Sequence, residues 1–336
     1  MAISALRLET PHNAYIDKCK ENEFEMGGAA PADPGDESNA DEPPLPTFSE
    51  EEIHVGEKYS YHDTLSSLIG LGSYGVVFKG NDHGNNMPVA VKRLAKMNIK
   101  DQELSVIKSL KSKYLVGVLD ICDIDPVTSC VIMELLDTDL DNHLRKRAPN
   151  GRLTPKNLKL IIDNLARGYK ALNELRIVHR DIKPQNILVS YQIKGSREFS
   201  GAKITDFGIA RTLGEASLCN VAGTFYYMAP EVGANLLKIC EYNSKVDIWS
   251  IGCLIYQCLT GDIPFDECSL CRLFLYMAGG NYEAYDYPEL PEGTSPAIID
   301  LIHCLLDIDP EKRATPQEFY EIATAFSELT VIEAQI

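Results

Sequence analysis

Asp181, Lys183 and Asn186 place a carboxylate, a cation and an amide within six residues, in the segment Val178-His179-Arg180-Asp181-Ile182-Lys183-Pro184-Gln185-Asn186. A further carboxylate follows 25 residues after Asp181, in Asp206-Phe207-Gly208. Phosphoryl transfer asks for such a set: a carboxylate to orient the attacking hydroxyl, oxygen ligands for Mg²⁺, and positive charge near the moving group. In this reading Asp181 orients or accepts the proton of the substrate hydroxyl, and Lys183 neutralises charge on the phosphoryl group. Asn186 and Asp206 offer oxygens to Mg²⁺, a hard cation that needs few protein ligands. An isolated Asp-Phe-Gly is commonly only a turn. The combination carries the reading, with strand-like Ile187-Leu188-Val189 between the two motifs.

A Gly-rich element lies upstream, Gly70-Leu71-Gly72-Ser73-Tyr74-Gly75-Val76-Val77. Missing side chains let backbone N–H groups approach phosphate oxygens. Dinucleotide-binding folds use similar glycines where a strand turns into a helix. Here a second strand-like run follows, ending in Lys92 seventeen residues after Gly75, which favours a hairpin lid over a nucleotide. A plain Gly-rich hairpin is the structural alternative. Lys92 closes the apolar run Val89-Ala90-Val91, and a lysine facing an interior requires an anionic partner, phosphate or Glu103. The alternatives are a solvated Lys92 and a Glu103 that is one more exposed helix carboxylate.

These residues need elements to hold them. Residues 58–136 read mostly as strands: Leu68-Ile69, Val76–Lys79, Val89–Lys92, Val116–Ile124 and Cys130–Leu136, with a helix around Glu103–Leu110. From residue 137 the periodicity is helical. Thr154-Pro155 is a helix start, and Leu158, Ile161, Ile162, Leu165 and Tyr169 form one apolar face. Helices are also expected over Lys245–Leu259, Leu270–Met277, Ala297–Leu306 and Thr315–Phe326. The expected fold is α+β, a small β-rich lobe before a larger helical lobe, with a cleft between them. The expected boundaries are 1–57 for an acidic, mostly disordered extension, 58–136 and 137–328 for the lobes, and 329–336 for a short tail.

Composition narrows the function classes. With 336 residues, 45% of them hydrophobic and 24% charged, the chain has a globular composition. No apolar run approaches the ~18 residues of a membrane span, and the first residues lack the order of a secretion signal. Net charge is −17. Residues 1–52 hold 3 basic and 13 acidic side chains, and from Glu21 to Glu52 too few large apolar residues occur to offset ordering entropy. Residues 1–20 are expected to form at most a weak helix. An acidic chain is a poor nucleic-acid binder, and the one basic knot, Arg145-Lys146-Arg147, reads as the solvated end of a short helix. Ten scattered cysteines suit reduced thiols in cytosol or nucleus. Cys268 and Cys271 form a lone C-x-x-C, read as an ordinary helix face rather than a zinc site.

From about Lys58 to Ala325 the chain resembles a eukaryotic protein kinase domain of the Ser/Thr type. The resemblance implies a bilobal kinase fold that takes ATP and Mg²⁺ and phosphorylates protein Ser/Thr hydroxyls. Gly70, Gly72 and Gly75 would cover the phosphates, Lys92 would contact them, and Glu103 would be its helix partner. Leu68, Val77, Ala90 and Leu188 would surround the adenine, Met133 would stand at the rear of the cleft, and Glu134 and Leu136 would bind the base through their backbone. Asp181 would be the catalytic base, with Lys183 beside it and Asn186 and Asp206 as metal ligands. Glu231 of Ala229-Pro230-Glu231 would pair with Arg313, and Asp247 would brace the catalytic loop. Ser/Thr specificity rests on Lys183 and on Thr224 of Gly223-Thr224-Phe225. Arg180 implies an activation-segment phosphate, with Ser217 or Thr212 as acceptor for an upstream kinase, unless Glu215 supplies the charge.

The chain departs from the pattern in two places. Only eleven residues separate Lys92 from Glu103, and the loop Tyr191–Glu198 is long, as for a surface hairpin. Leu135–Leu140 is similar to mitogen-activated kinases, but Met228 stands where those carry Arg, so no subfamily is assigned. Two other readings are a pseudokinase scaffold, whose mark would be loss of Lys92, Asp181 or Asp206, and a dinucleotide-binding oxidoreductase, disfavoured by the strand after Gly75.

Overall fold

The computed structural model describes residues 51–72, 75–96, 110–206, 225–234 and 243–333. The chain divides into two units, residues 1–100 with 118–135, and residues 101–117 with 136–336.

Unit 1 is an antiparallel seven-stranded sheet: β1 (Glu52–Val55), β2 (Tyr59–His62), β3 (Leu68–Gly72), β4 (Gly75–Asp82), β5 (Met87–Ala95), β6 (Val118–Asp123) and β7 (Thr128–Glu134). Its order is β1-β2-β4-β5-β7-β6, and β3 also pairs with β4. β5 and β7 lie inside the sheet, and their middle residues, Val89 to Lys92 and Ser129 to Met133, are buried on both faces. One face buries Val55, Tyr59, Tyr61, Leu68, Phe78, Val91 and Ile132 together, with Tyr61 stacked on Phe78 at 4.9 Å between ring centroids. The turn before β7 is set by Asp125, whose Oδ1 accepts the N–H groups of Val127 and Thr128, each at 2.7 Å.

Unit 2 holds a three-stranded sheet in the order β10-β9-β8: β8 (Thr138–Asp139), β9 (Ile187–Tyr191) and β10 (Phe199–Ile204). Its helices are α1 (Leu140–Lys146), α2 (Pro155–Glu174), α3 (Pro230–Ala234), α4 (Lys245–Thr260), α5 (Glu267–Gly279), α6 (Pro296–Leu305) and α7 (Pro316–Glu333). α2 begins as its sequence predicts, with Thr154 Oγ1 accepting from the Asn157 N–H at 3.3 Å and its five-residue apolar face buried. α4 is buried almost all round and ends at Gly261, whose φ of 85° suits glycine. The long loop after β9 closes a hairpin, with Gln192 N–H donating to the Glu198 carbonyl at 2.9 Å. Arg147 caps α1, and Cys268 and Cys271 are exposed on α5.

Three expected boundaries move. β1 starts at Glu52, inside the segment assigned to a disordered extension up to residue 57: Ile53 and Val55 alternate with exposed Glu52 and His54, and Val55 joins the core. Residues 110–117, assigned to the β-rich lobe, belong to unit 2, because Val116 N–H donates to the Ile204 carbonyl at 2.9 Å and Ile204 N–H to that of Tyr114 at 3.0 Å. The last helix runs to Glu333, past the expected tail boundary at 329. The expectations for residues 1–50, for the helix at Glu103 and for Thr212, Glu215, Ser217 and Thr224 fall outside the described residues.

Candidate active site

In unit 2 the segment His179–Asn186 has no regular ladder of its own and is held by side chains. Asp247, in the first turn of α4, is fully buried. Its Oδ2 accepts the His179 N–H and lies 2.9 Å from the Tyr169 hydroxyl, and its Oδ1 accepts the Arg180 N–H at 2.6 Å. Arg180 needs that support because it sits at φ 65°, a left-handed conformation costly for a residue that carries a Cβ. Asp206 has the same kind of backbone, φ 60°.

His179, 2% exposed, ties the two carboxylate segments together. Its Nδ1 accepts the Asp181 N–H at 3.3 Å, so Nε2 carries the proton and donates to the Thr205 carbonyl at 2.8 Å. Thr205 N–H in turn donates to the Asn186 carbonyl at 3.0 Å. Thus Asp181, Asn186 and the residue before Asp206 share one hydrogen-bonded network. Asn186 Nδ2 donates to the Asp181 carbonyl at 2.8 Å and to Asp181 Oδ2 at 2.9 Å. With Nδ2 so engaged, the amide offers its Oδ1 to any ligand. Lys183 Nζ lies 2.9 Å from Asp181 Oδ2. Asp181 Oδ1 is buried and, among the described residues, accepts no hydrogen bond; the side chain as a whole is 35% exposed, so Oδ2 is the oxygen a substrate hydroxyl can reach. Asn186 Oδ1 and the Asp206 carboxylate are a hard, all-oxygen donor set and fit Mg²⁺.

Arg313, fully buried, pairs with Glu231 in a two-pronged contact, Nη1 to Oε1 at 2.6 Å and Nη2 to Oε2 at 3.0 Å. Its Nε donates to the Asp307 carbonyl at 2.8 Å, and its guanidinium lies 5.0 Å from the Trp249 ring centroid. The predicted pair is present, with the further partners a buried charge requires.

In unit 1 the register decides which predicted residues share a face. Val77 pairs with Lys92, Lys92 with Val131, and Ala90 with Met133. Directly opposed residues share a face, so Val77, Ala90, Lys92 and Met133 line one face, with Gly70 opposite Val77. Lys92 is 2% exposed there. Gly75 has a steric reason besides phosphate access: a Cβ would lie 2.2 Å from the Arg93 carbonyl oxygen. Leu68 is a correction. It pairs with Phe78 and sits in the core on the opposite face. The ladder shifts between Leu68 and Gly70, leaving Ile69 as the exposed neighbour, 41%. Glu134, Leu136 and Leu188 are half-buried. The bracing roles of His179 and Tyr169 and the exposure of Ile69 were missed from sequence; only the position of His179 in His-Arg-Asp carried a signal.

Residues 64–323 match the family model of the protein kinase domain. The chain belongs to the protein kinase family. It is 33% identical over 285 residues to serine/threonine-protein kinase unc-51 of Caenorhabditis elegans, covering 79% of this chain and 31% of that protein. To serine/threonine-protein kinase ULK1 of Homo sapiens it is 34% identical over 268 residues, 75% of this chain and 24% of that protein. The chain thus spans about a third or less of these relatives. Among solved structures it is similar to a crystal structure of Rad53 1–466 in complex with AMP-PNP, with a TM-score of 0.61 and 28% identity, covering 79% of this chain and 64% of that one. The domain is a eukaryotic Ser/Thr protein kinase domain with a mixed α+β fold. Among the described residues no helix is long and apolar enough to cross a membrane.

Proposed function

We propose that this chain transfers the γ-phosphoryl group of ATP to Ser or Thr hydroxyls of proteins. The carrying observation is the hydrogen-bonded unit of Asp181, Lys183, Asn186 and His179, which fixes the Asp181 carboxylate with Oδ2 on its exposed side, between an ammonium and an amide. Asp181 Oδ2, on the exposed side of the carboxylate and held in place by Lys183 and Asn186, receives the hydroxyl proton, while Oδ1 is closed off from solvent. Lys183 also brings positive charge to the acceptor side. Asn186 and Asp206 would hold Mg²⁺, which supplies neutralisation of phosphate charge when bound. On unit 1, Lys92 meets the phosphates, and Val77, Ala90 and Met133 form the apolar face for adenine, with Ile69 in place of Leu68. The two surfaces belong to separate units, and their assignment to one reaction rests on family membership. The seven described cysteines are unbridged, which supports a reducing compartment, cytosol or nucleus.

The test is Mg²⁺-dependent phosphate transfer from ATP to a generic protein substrate, compared with Asp206→Asn. Wild-type activity falling by about 10³-fold in the variant is the expected result. Full activity in Asp206→Asn would remove the metal-ligand assignment.

A further inference from the structure

Away from the kinase residues, one group of metal-ligating side chains stands out among the described residues. Glu52 and His54 of β1 and His83, just after β4, bring one ligand atom each within 4.8 Å of the others. The strand register causes this. β1 sets His54 opposite Ser60 of β2, and Ser60 lies opposite Asn81 of β4. Glu52 and His54 are two apart and share a face. His83 turns back over β2, with Nε2 2.8 Å from Ser60 Oγ and 3.9 Å from Glu52 Oε1. The His54 and His83 ring centroids are 6.3 Å apart. The Ser60 hydroxyl also hydrogen-bonds Glu52 and holds its carboxyl below the usual range.

We propose that Glu52, His54 and His83 form a binding site for a borderline divalent cation, zinc first. Two imidazoles and a carboxylate are ligands for zinc, whereas Mg²⁺ prefers oxygen alone. Zinc bonds of about 2.0–2.2 Å in a tetrahedron place neighbouring donors roughly 3.4 Å apart. The Glu52–His83 spacing is already near that value, and the three side chains are exposed, so rotamer adjustment can bring them in. Ser60 orients Glu52 from outside the ligand set, and water or His62, opposite Glu52 in the ladder, completes the tetrahedron. Among the described residues β1 is the sheet's edge and pairs only with β2. An ion joining β1 to the end of β4 staples that edge across β2.

The test uses the full chain carrying Cys268→Ser and Cys271→Ser, which removes the exposed thiol pair. Zinc is titrated against a chromogenic chelator, cobalt is substituted for spectroscopy, and amide exchange is followed with and without zinc. Expected are one bound equivalent, a cobalt spectrum of nitrogen and oxygen ligands without thiolate charge transfer, and slowed exchange of the β1 amides. His54→Ala and His83→Ala, which fold because both rings are exposed, should each weaken binding by about tenfold or more, and Asp206→Asn should leave the titration unchanged. Equal binding by His83→Ala and its parent, a thiolate band, or unaltered β1 exchange at saturation would each overturn the proposal.

Discussion

Lys92 and Asp181 reach their positions by different physical means. Lys92 lies in a strand joined by seven residue pairs to β4 and seven to β7, and its face follows from the alternation of any pleated ladder. Asp181 follows a residue at φ 65° and depends on two buried side chains, Asp247 and His179, for its backbone path. The ladder spreads positional control over many weak, equivalent contacts. The loop concentrates it in a few polar groups, each with several partners. Single substitutions should therefore be mild in the sheet and severe behind the loop.

The strongest way to break that contrast is Asp247→Ala. It leaves the N–H groups of His179 and Arg180 buried without their acceptor, at about 1–3 kcal/mol each. Stability in urea should drop by roughly 3–5 kcal/mol, and phosphoryl transfer should be lost with the loop geometry. A variant with the parent's unfolding midpoint and rate would show that the loop holds itself.

The second effect tests another buried polar group of unit 2. His143, 2% exposed, lies 3.0 Å from the Tyr191 hydroxyl and edge-on to Phe199. Burial, then the charges of Arg147 and Arg197, push its pKa from 6.5 down to about 4. Below pH 6.5 the unfolded chain takes up a proton that the folded ring refuses until about pH 4. This group's contribution is therefore intact above pH 6.5 and lost progressively as pH falls to about 4, by about 2–3 kcal/mol in all. Thermal melts from pH 7 to 4 should show a shallower decline for His143→Phe than for the parent. Parallel curves would place the acid sensitivity elsewhere.

The smallest effect belongs to the sheet. Val77→Ala removes two methyl groups from a half-buried side chain, so stability should change by about 1 kcal/mol or less. If Val77 contacts adenine, KM for ATP should rise a few-fold with kcat retained, as for uniform binding. An unfolded Val77→Ala would show that the ladder is as brittle as the loop.

Much of the fold was legible because its signals are local. Thr154-Pro155 starts a helix through its own cap, and the runs of β5 and β7 are strand-like wherever they pack. β1 was not legible: four residues with two exposed polar side chains look like the end of an acidic tail until β2 pairs with them. Residues 110–117 followed the same logic, since only pairing with Ile204 assigns them to unit 2. Leu68 was misplaced because a ladder irregularity at Ile69 breaks the alternation that sequence reading assumes.

The candidate site divides along the same line. Residue identity and spacing alone named the groups able to do chemistry, Asp181, Lys183, Asn186 and Asp206, because a carboxylate, an ammonium and an amide keep their chemistry in any fold. Tertiary structure alone decided which oxygen of Asp181 faces outward between Lys183 and Asn186, which tautomer His179 adopts, and which face of the sheet carries Lys92. Those outcomes depend on partners tens of residues away, and hydrogen-bond geometry and strand register exist only once such partners have met.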